Sequence, residues 1–166
     1  MDVAFFGGSE TLPLPGGVRR LTDPAALTEK RWELLVLTRE GCARLHGAEV
    51  ACGCGTLLLP DDQGEAVLGC IRAERVIGYG LSPRDSLTMS SLDTAAVLCV
   101  QRALPRPDGG TVEPQEVPLP ALDLSADDLM AVFGLRLLVE PASELPVDSS
   151  QVGHDMENIK IKTSEK

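Results

Sequence analysis

The stretch GTLLLPDDQGEAVLGCIRAERVIGYGL, residues 55–81, decides the fold class of this chain. Its first part, GTLLLP, and its last part, RVIGYGL, are short apolar runs of the kind found in strands that are covered on both faces. The segment between them, DDQGEAVLGCI, begins with two acids, which stabilise the positive end of a helix. Strand, helix and strand in this order predict a parallel crossover and therefore an α/β protein.

The residues before this stretch predict further elements of the same kind. VAFFGG at residues 3–8 is a short apolar run that predicts a buried first strand, and ELLVLT at residues 33–38 predicts a second. Between them, TDPAALTEKRW carries a helix start with Pro24 in its first turn. The segment at residues 39–54 lacks a clear period and predicts a short helix or an irregular loop.

The second half of the chain has a different sequence pattern. SLTMSSL, AVLCVQRAL and VEPQEVPL are separated by turn-forming residues, which predicts an antiparallel hairpin section at residues 86–119. SADDLMAVFGLRLL then begins with Ser125 as N-cap and places Leu129, Val132 and Phe133 at helical spacing, which predicts an amphipathic helix.

These elements predict one α/β domain at residues 1–140. It contains a small, mostly parallel sheet of about four strands, flanking helices and the antiparallel hairpin section. Aromatic residues make up only 3% of the chain, so its core is expected to consist of Leu, Val, Ile and Ala. The polar residues 141–166 lack an apolar period and predict a flexible C-terminal tail.

The charge and the apolar pattern exclude several classes of partner. The formal net charge is −10, and the predicted domain has no cluster of Lys and Arg, so we expect no nucleic-acid binding. No run approaches 18 consecutive apolar residues and the N-terminus does not read as a signal peptide, so we expect no membrane association and a cytoplasmic location. The odd number of cysteines, five, predicts reduced thiols.

Three motifs occur in an order that resembles the middle, ATP-binding domain of the Mur ligases, which add amino acids to the peptidoglycan precursor. They are VLTREGCARLHG at residues 36–47, LLPDD, and VIGYG. In that family, a strand ending in Val-Leu-Thr leads to His-Gly, and an Asp-Asp pair precedes a strand ending in Tyr-Gly. The resemblance covers about residues 33–138. It implies a Mur-ligase-like fold, a bacterial source and a relation to peptidoglycan.

The departures from the family imply that its chemistry is lost. No Gly-Lys-Thr or Gly-Lys-Ser occurs to bind a triphosphate, and no lysine lies between Lys30 and Lys160. The resemblance places Arg44 at the family's metal-handling His and Leu59 at its base-contacting Asn, whereas Asp62 is retained where the family holds the ribose. We therefore expect a noncatalytic, shortened relative that uses no cofactor and binds a partner protein or a small ligand.

The candidate ligand-binding residues are Asp61, Asp62, Tyr79 and Gly80, because they follow two strands at the end where open α/β sheets bind ligands. One alternative is that the two acids only stabilise a helix start and that the tyrosine belongs to a strand-end turn. Another is that the same residues serve a nucleotide-binding enzyme.

A second candidate site is a metal site formed by Cys42, His46, Cys52 and Cys54. Zinc binds such ligands when a loop lets them close into a tetrahedron, although this spacing lacks the paired C-x2-C of common zinc sites. The alternative is that the cysteines pack as small apolar residues. If they bind zinc, the protein is a zinc-stabilised module.

The sequence also leaves self-association open. A shortened domain of this class exposes an edge of its sheet, and such an edge needs covering. A homodimer is one way to cover it.

Overall fold

The computed structural model describes residues 1–92 and 95–141, which contain ten strands and three α-helices. The helices are α1 (Arg39–Leu45), α2 (Gly64–Val67) and α3 (Ala126–Val139), and two 3-10 helices lie at Pro24–Glu29 and Asp61–Gln63. The strands are β1 (Val3–Phe6), β2 (Arg19–Leu21), β3 (Trp32–Leu37), β4 (Cys52–Pro60), β5 (Ile71–Tyr79), β6 (Leu87–Leu92), β7 (Ala95–Val100), β8 (Leu104–Pro105), β9 (Thr111–Val112) and β10 (Gln115–Pro118).

Eight of the strands form one mixed sheet in the order β10-β7-β6-β5-β4-β3-β1-β2. From β2 to β6 each neighbouring pair is parallel, whereas β7 is antiparallel to both β6 and β10. This confirms the α/β class with a mostly parallel sheet. The predicted number of parallel strands was wrong, because the sheet has six parallel strands instead of about four. The antiparallel strands β7 and β10 extend the same sheet, and β8 and β9 form a separate small hairpin.

Several element boundaries differ from the prediction for local reasons. β2 was not predicted, because Arg19–Leu21 is short and has no apolar run. β4 begins at Cys52 and β5 at Ile71, before the apolar runs that predicted them, because backbone pairing extends through Gly, Cys and charged residues. The predicted crossover helix is shortened to a 3-10 turn followed by α2.

The sheet has an apolar core on each face. β3 supplies both, since Leu34 and Val36 point to the face that α3 covers, while Leu35 and Leu37 point to the face of α1. Trp32 belongs to the α1 face, where its ring nitrogen donates a hydrogen bond to the Leu27 carbonyl at 3.0 Å. The one sheet therefore joins both cores into a single packing unit.

The closing helix α3 is buried on most of its surface, so the amphipathic expectation was wrong. Ser125 is its N-cap as predicted, and its Oγ accepts a hydrogen bond from the Asp128 N–H at 3.1 Å. The core on this face also contains parts of the chain that no local pattern reveals: the loop after β1 and the hairpin β8–β9, through Leu12, Leu104 and Val112.

The hairpin also closes the C-terminal end of α3. Arg106 Nη1 donates hydrogen bonds to the carbonyls of Leu137 and Glu140, at 3.2 Å and 2.8 Å. Carbonyls at a helix end lack partners within the helix, and a cation also stabilises the negative end of the helix. The hairpin is therefore fastened to the domain by a polar contact as well as by apolar packing.

The predicted tail lies almost entirely outside the described residues, which end at Pro141. In the described part of the chain, no helix has both the length and the apolar character needed to cross a membrane.

Candidate functional site

The candidate site is a cleft at the edge of the sheet where the parallel strands β3, β4 and β5 end. Its volume is about 380 Å³, and all four predicted ligand-binding residues line it: Asp61, Asp62, Tyr79 and Gly80. Asp61 and Asp62 form the 3-10 turn that follows β4, while Tyr79 is the last residue of β5. The carboxyl ends of neighbouring parallel strands lie side by side, which brings together residues from separate parts of the chain.

Arg39 crosses the cleft and joins three elements. It is the first residue of α1, and only the N-cap Thr38 separates it from β3. Its Nη1 contacts Asp62 Oδ2 at 2.8 Å and its Nε contacts Asp127 Oδ2 at 2.7 Å. The hydrogen bond from Arg39 holds the pKa of the Asp62 carboxyl below its usual value, and the two carboxylates raise the pKa of Arg39. Arg39 and Asp62 are therefore charged at neutral pH, and the Arg39 guanidinium is already engaged with both carboxylates.

Tyr79 is fully buried, and its hydroxyl is used within the fold. It donates a hydrogen bond to the Leu37 carbonyl at 3.0 Å, which ties the end of β5 to the end of β3 across β4. Burial raises the pKa of the Tyr79 hydroxyl, so the group stays protonated. In this structure Tyr79 shapes the wall of the cleft, and its hydroxyl is not free for a ligand.

The two glycines beside Tyr79 make room for carboxylates. A Cβ on Gly80 would collide with the Asp85 carboxylate, and a Cβ on Gly78 would collide with that of Asp61. Asp85 is only 5% exposed, and its Oδ2 accepts a hydrogen bond from the Ser82 N–H at 2.9 Å. The Gly-Tyr-Gly sequence is thus explained by close packing of acids against the strand end.

The cleft is negatively charged overall. Its lining contains four aspartates against one arginine: Asp61, Asp62, Asp85, Asp127 and Arg39. Carboxylates accept hydrogen bonds and repel anions. The arrangement suits a ligand that brings hydroxyl or amino groups, and it opposes a triphosphate.

The glycine turn after β1 is occupied by an acid of the chain itself. Gly7 and Gly8 both have positive φ, and the Gly8 N–H donates a hydrogen bond to Glu40 Oε2 at 3.2 Å. Arg44 holds the other oxygen of this carboxylate at 2.5 Å. A turn whose backbone N–H could face an anion is therefore already filled from within.

The four residues of the predicted metal site do not form a metal-binding group. Cys42 lies in α1, His46 is the exposed residue that ends it, and Cys52 and Cys54 lie within β4 instead of on a mobile loop. Burial raises the pKa of the Cys42 and Cys54 thiols to about 12 and that of Cys52 to about 11, which opposes thiolate ligands. Across residues 1–92 and 95–141, no three His, Cys, Asp or Glu side chains are placed to hold a metal ion.

Other depressions of the surface are as large as the cleft. One of about 390 Å³ lies between residues 45–51 and the turn before β5, and it contains none of the predicted ligand-binding residues. Volume therefore does not single out the cleft; its place at the carboxyl ends of the parallel strands, where open α/β sheets bind ligands, does.

No protein-family model, curated protein or solved structure matches this chain. Only the geometry of the cleft therefore indicates which chemistry it can support.

Three charged residues of the cleft were missed in the sequence. Arg39 directly follows the strand predicted at residues 33–38, so the rule that selected residues at the ends of the next two strands could also have selected it. Asp85 follows the Gly-Tyr-Gly turn by a few residues and carries no such signal. Asp127 is 88 residues away from Arg39 in sequence, and only the packing of α3 brings the two together.

Proposed function

We propose that this protein is a noncatalytic α/β protein that binds a small polar ligand in the cleft at the carboxyl ends of β3, β4 and β5. The observation that carries the proposal is the convergence of Asp61, Asp62, Tyr79 and Gly80 on one cleft at the ends of β4 and β5. The excess of carboxylates favours an uncharged or cationic ligand that donates hydrogen bonds from hydroxyl or amino groups.

The state of the polar groups supports binding without catalysis. A general base must be free to take a proton, and a nucleophile must be activated by a neighbouring base. The Asp62 and Asp127 carboxylates are paired with Arg39, Asp85 is bound by the Ser82 N–H, and the Tyr79 hydroxyl is bound to Leu37. These engagements make the groups poorly suited to proton transfer, whereas the carboxylates can still accept hydrogen bonds from a ligand.

We infer further that the chain is a relative of the Mur ligase middle domain that acts in the bacterial cytoplasm. Its support is the order of elements: Asp62 after β4, Gly-Tyr-Gly at the end of β5, an antiparallel section, and a closing helix. The Glu40 carboxylate, which accepts a hydrogen bond from the Gly8 N–H, fits the loss of triphosphate binding, because it occupies the position that a phosphate would need.

The test is a ligand screen by thermal shift, followed by calorimetric titration of the compounds that stabilise the protein. The panel contains polyols, free amino acids and diamines, together with ATP, ADP and a UDP-muramyl precursor, each with and without magnesium. A ligand that binds only the native state raises Tm by an amount that keeps growing with the logarithm of its concentration above Kd. We expect a concentration-dependent rise in Tm and saturable binding in the titration with a hydroxyl- or amino-bearing compound, and no rise with ATP.

The assignment to the cleft is tested with Asp61→Asn, which keeps the shape of the side chain and removes its charge. We expect about tenfold weaker binding, since a hydrogen bond to a charged group contributes about 1.5–3 kcal/mol and one to a neutral amide about 0.5–1.5 kcal/mol. Glu113→Gln, on the exposed loop that follows β9, serves as the control and should bind as the wild type does. Equal loss in both variants would contradict binding in the cleft.

Two outcomes would favour the other functions. A magnesium-dependent rise in Tm with ATP that Asp61→Asn abolishes would favour a nucleotide-binding enzyme. A fall in Tm with EDTA that zinc reverses would favour a zinc-stabilised module.

A further inference from the structure

The strands β3, β4 and β5 share an irregularity near the start of β3. The pairing of β3 with β4 skips Glu33 and Gly55, and the pairing of β4 with β5 skips Gly55 and Glu74. An extra residue moves the side chains that follow it to the other face of a strand, and Cys54 and Leu57, three residues apart, do lie in the same core. Bulges are frequent next to functional sites, where they change the direction of a side chain.

A depression of about 390 Å³ lies on this irregularity, and its lining includes Thr56 and Arg75. These two residues are paired in the register of β4 and β5, so their side chains point to the same face of the sheet. Leu34 is the partner of Thr56 on β3, and it lies on the face that α3 covers. Pro107, in the loop between β8 and β9, forms another part of the wall.

Thr56 gives the depression a polar group without a partner in the described part of the chain. The residue is 1% exposed, and its hydroxyl forms no hydrogen bond with the residues that the structure describes. Buried hydroxyl groups are nearly always hydrogen-bonded, because an unpaired one costs free energy. A buried hydroxyl at the wall of a surface depression is therefore available to a ligand.

Arg75 gives the depression a cation that forms no ion pair within the described residues. The other charged groups of the lining are paired: Arg31 contacts Glu74 at 2.5 Å, and Glu33 contacts the N-terminal amino group at 3.7 Å. An arginine guanidinium is planar and binds a carboxylate through two parallel hydrogen bonds. The two acids nearby oppose ligands that carry several negative charges.

We propose that this depression binds a small organic acid with a single carboxylate. The Arg75 guanidinium and the Thr56 hydroxyl donate hydrogen bonds to the carboxylate, and Pro107 borders the apolar part of the ligand. The site goes beyond the function proposed for the cleft, because the excess of aspartates there repels carboxylates.

The experiment is an NMR titration of the isotope-labelled full chain with propionate at constant ionic strength. The amides of Gly55, Thr56 and Arg75 should shift and saturate with a dissociation constant of about 1–10 mM, because so small a ligand makes few contacts. Propionamide has the same shape without the charge, and succinate has two carboxylates. Each should bind about fivefold more weakly or less than that.

The position of the carboxylate is tested with Arg75→Gln, which should weaken propionate binding about tenfold. Arg72→Gln is the matched control, because Arg72 is an exposed arginine of the same strand outside the depression, and it should bind as the wild type does. Asp61→Asn changes the cleft and should also leave propionate binding unchanged, so failure of the cleft proposal and failure of this one are distinguishable.

Thr56→Val tests the hydroxyl, since it keeps the shape of the side chain. It should weaken propionate binding and also raise Tm, because the free protein loses a buried hydroxyl that has no partner. A fall in Tm would mean that the chain already pairs this hydroxyl, and this would overturn the proposal.

Three results of the titration would also overturn the proposal. The first is a set of shifts that stay linear up to about 100 mM propionate, which means that no site is filled. The second is that sodium chloride or propionamide produces the same shifts at the same concentration. The third is equal propionate binding by the wild type and Arg75→Gln.

Discussion

At the scale of single residues, the Tyr79 hydroxyl holds the strand ends of the cleft together. It is fully buried and reaches the Leu37 carbonyl at 3.0 Å. Tyr79→Phe should lower the free energy of unfolding by about 1–2 kcal/mol, because a buried carbonyl loses its donor. Urea denaturation followed by circular dichroism measures the change, with an unchanged m-value as the sign that only stability is affected.

The matched control for this prediction is Thr28→Ala. The Thr28 hydroxyl also donates to a carbonyl, that of Ala25 at 2.8 Å, but at an exposed position where water replaces the bond. Its cost should be within about 0.5 kcal/mol. Similar losses in the free energy of unfolding of the two variants would show that burial of the tyrosine hydroxyl does not determine how much its hydrogen bond stabilises the protein.

Four residues of the cleft were predictable because a strand followed by polar residues locates them at one edge of a sheet. Asp61 and Asp62 after an apolar run, and Tyr79 and Gly80 at the end of another, all lie there. The sequence could not show what these groups already contact. The pairing of Asp62 with Arg39 and of the tyrosine hydroxyl with a backbone carbonyl depends on the distances between elements, and no local pattern encodes them.

At the scale of elements, two helical glycines have opposite environments. A Cβ on Gly41 in α1 would collide with the Phe6 carbonyl of β1, whereas a Cβ on Gly64 in α2 meets nothing within 4 Å. Gly41→Ala should therefore destabilise the protein by about 1–3 kcal/mol through overpacking. Gly64→Ala should stabilise it by about 0.5–1 kcal/mol, because alanine restricts the unfolded chain.

Thermal and urea unfolding of both glycine variants measure this difference. The two changes are chemically identical, so opposite signs isolate the effect of space around the helix. If Gly41→Ala is tolerated as well as Gly64→Ala, helix α1 does not approach β1 as closely as the structure shows.

An element could be predicted from the sequence where its own residues specify it. It could not be predicted where it forms through pairing or packing with another element. The apolar runs in β1, β3, β4 and β5 identify strands in the sequence. β2 forms only because β1 offers an edge to Arg19–Leu21, and the amino-terminal part of β5 is held by β4 despite its charged residues. The nearly complete burial of α3 depends on the hairpin β8–β9, which no helical period can reveal.

At the scale of the whole molecule, the sheet couples its two cores. Trp32 is the single tryptophan, it is 1% exposed, and it reports on the core under α1; far-UV circular dichroism is dominated by α3 on the other face. Since β3 contributes side chains to both cores, we expect tryptophan fluorescence and circular dichroism to give the same unfolding midpoint. Midpoints that differ by more than the experimental error would show that the two faces unfold separately.

The contact between Glu40 and Gly8 has a consequence for competition by dissolved anions. The carboxylate is carried on α1 and held by Arg44, so the glycine turn experiences it at an effective concentration of about millimolar or above. Phosphate or sulfate from solution would have to exceed that concentration to displace it. The turn is therefore occupied by a carboxylate of the same chain, and its conformation should be the same in every common buffer.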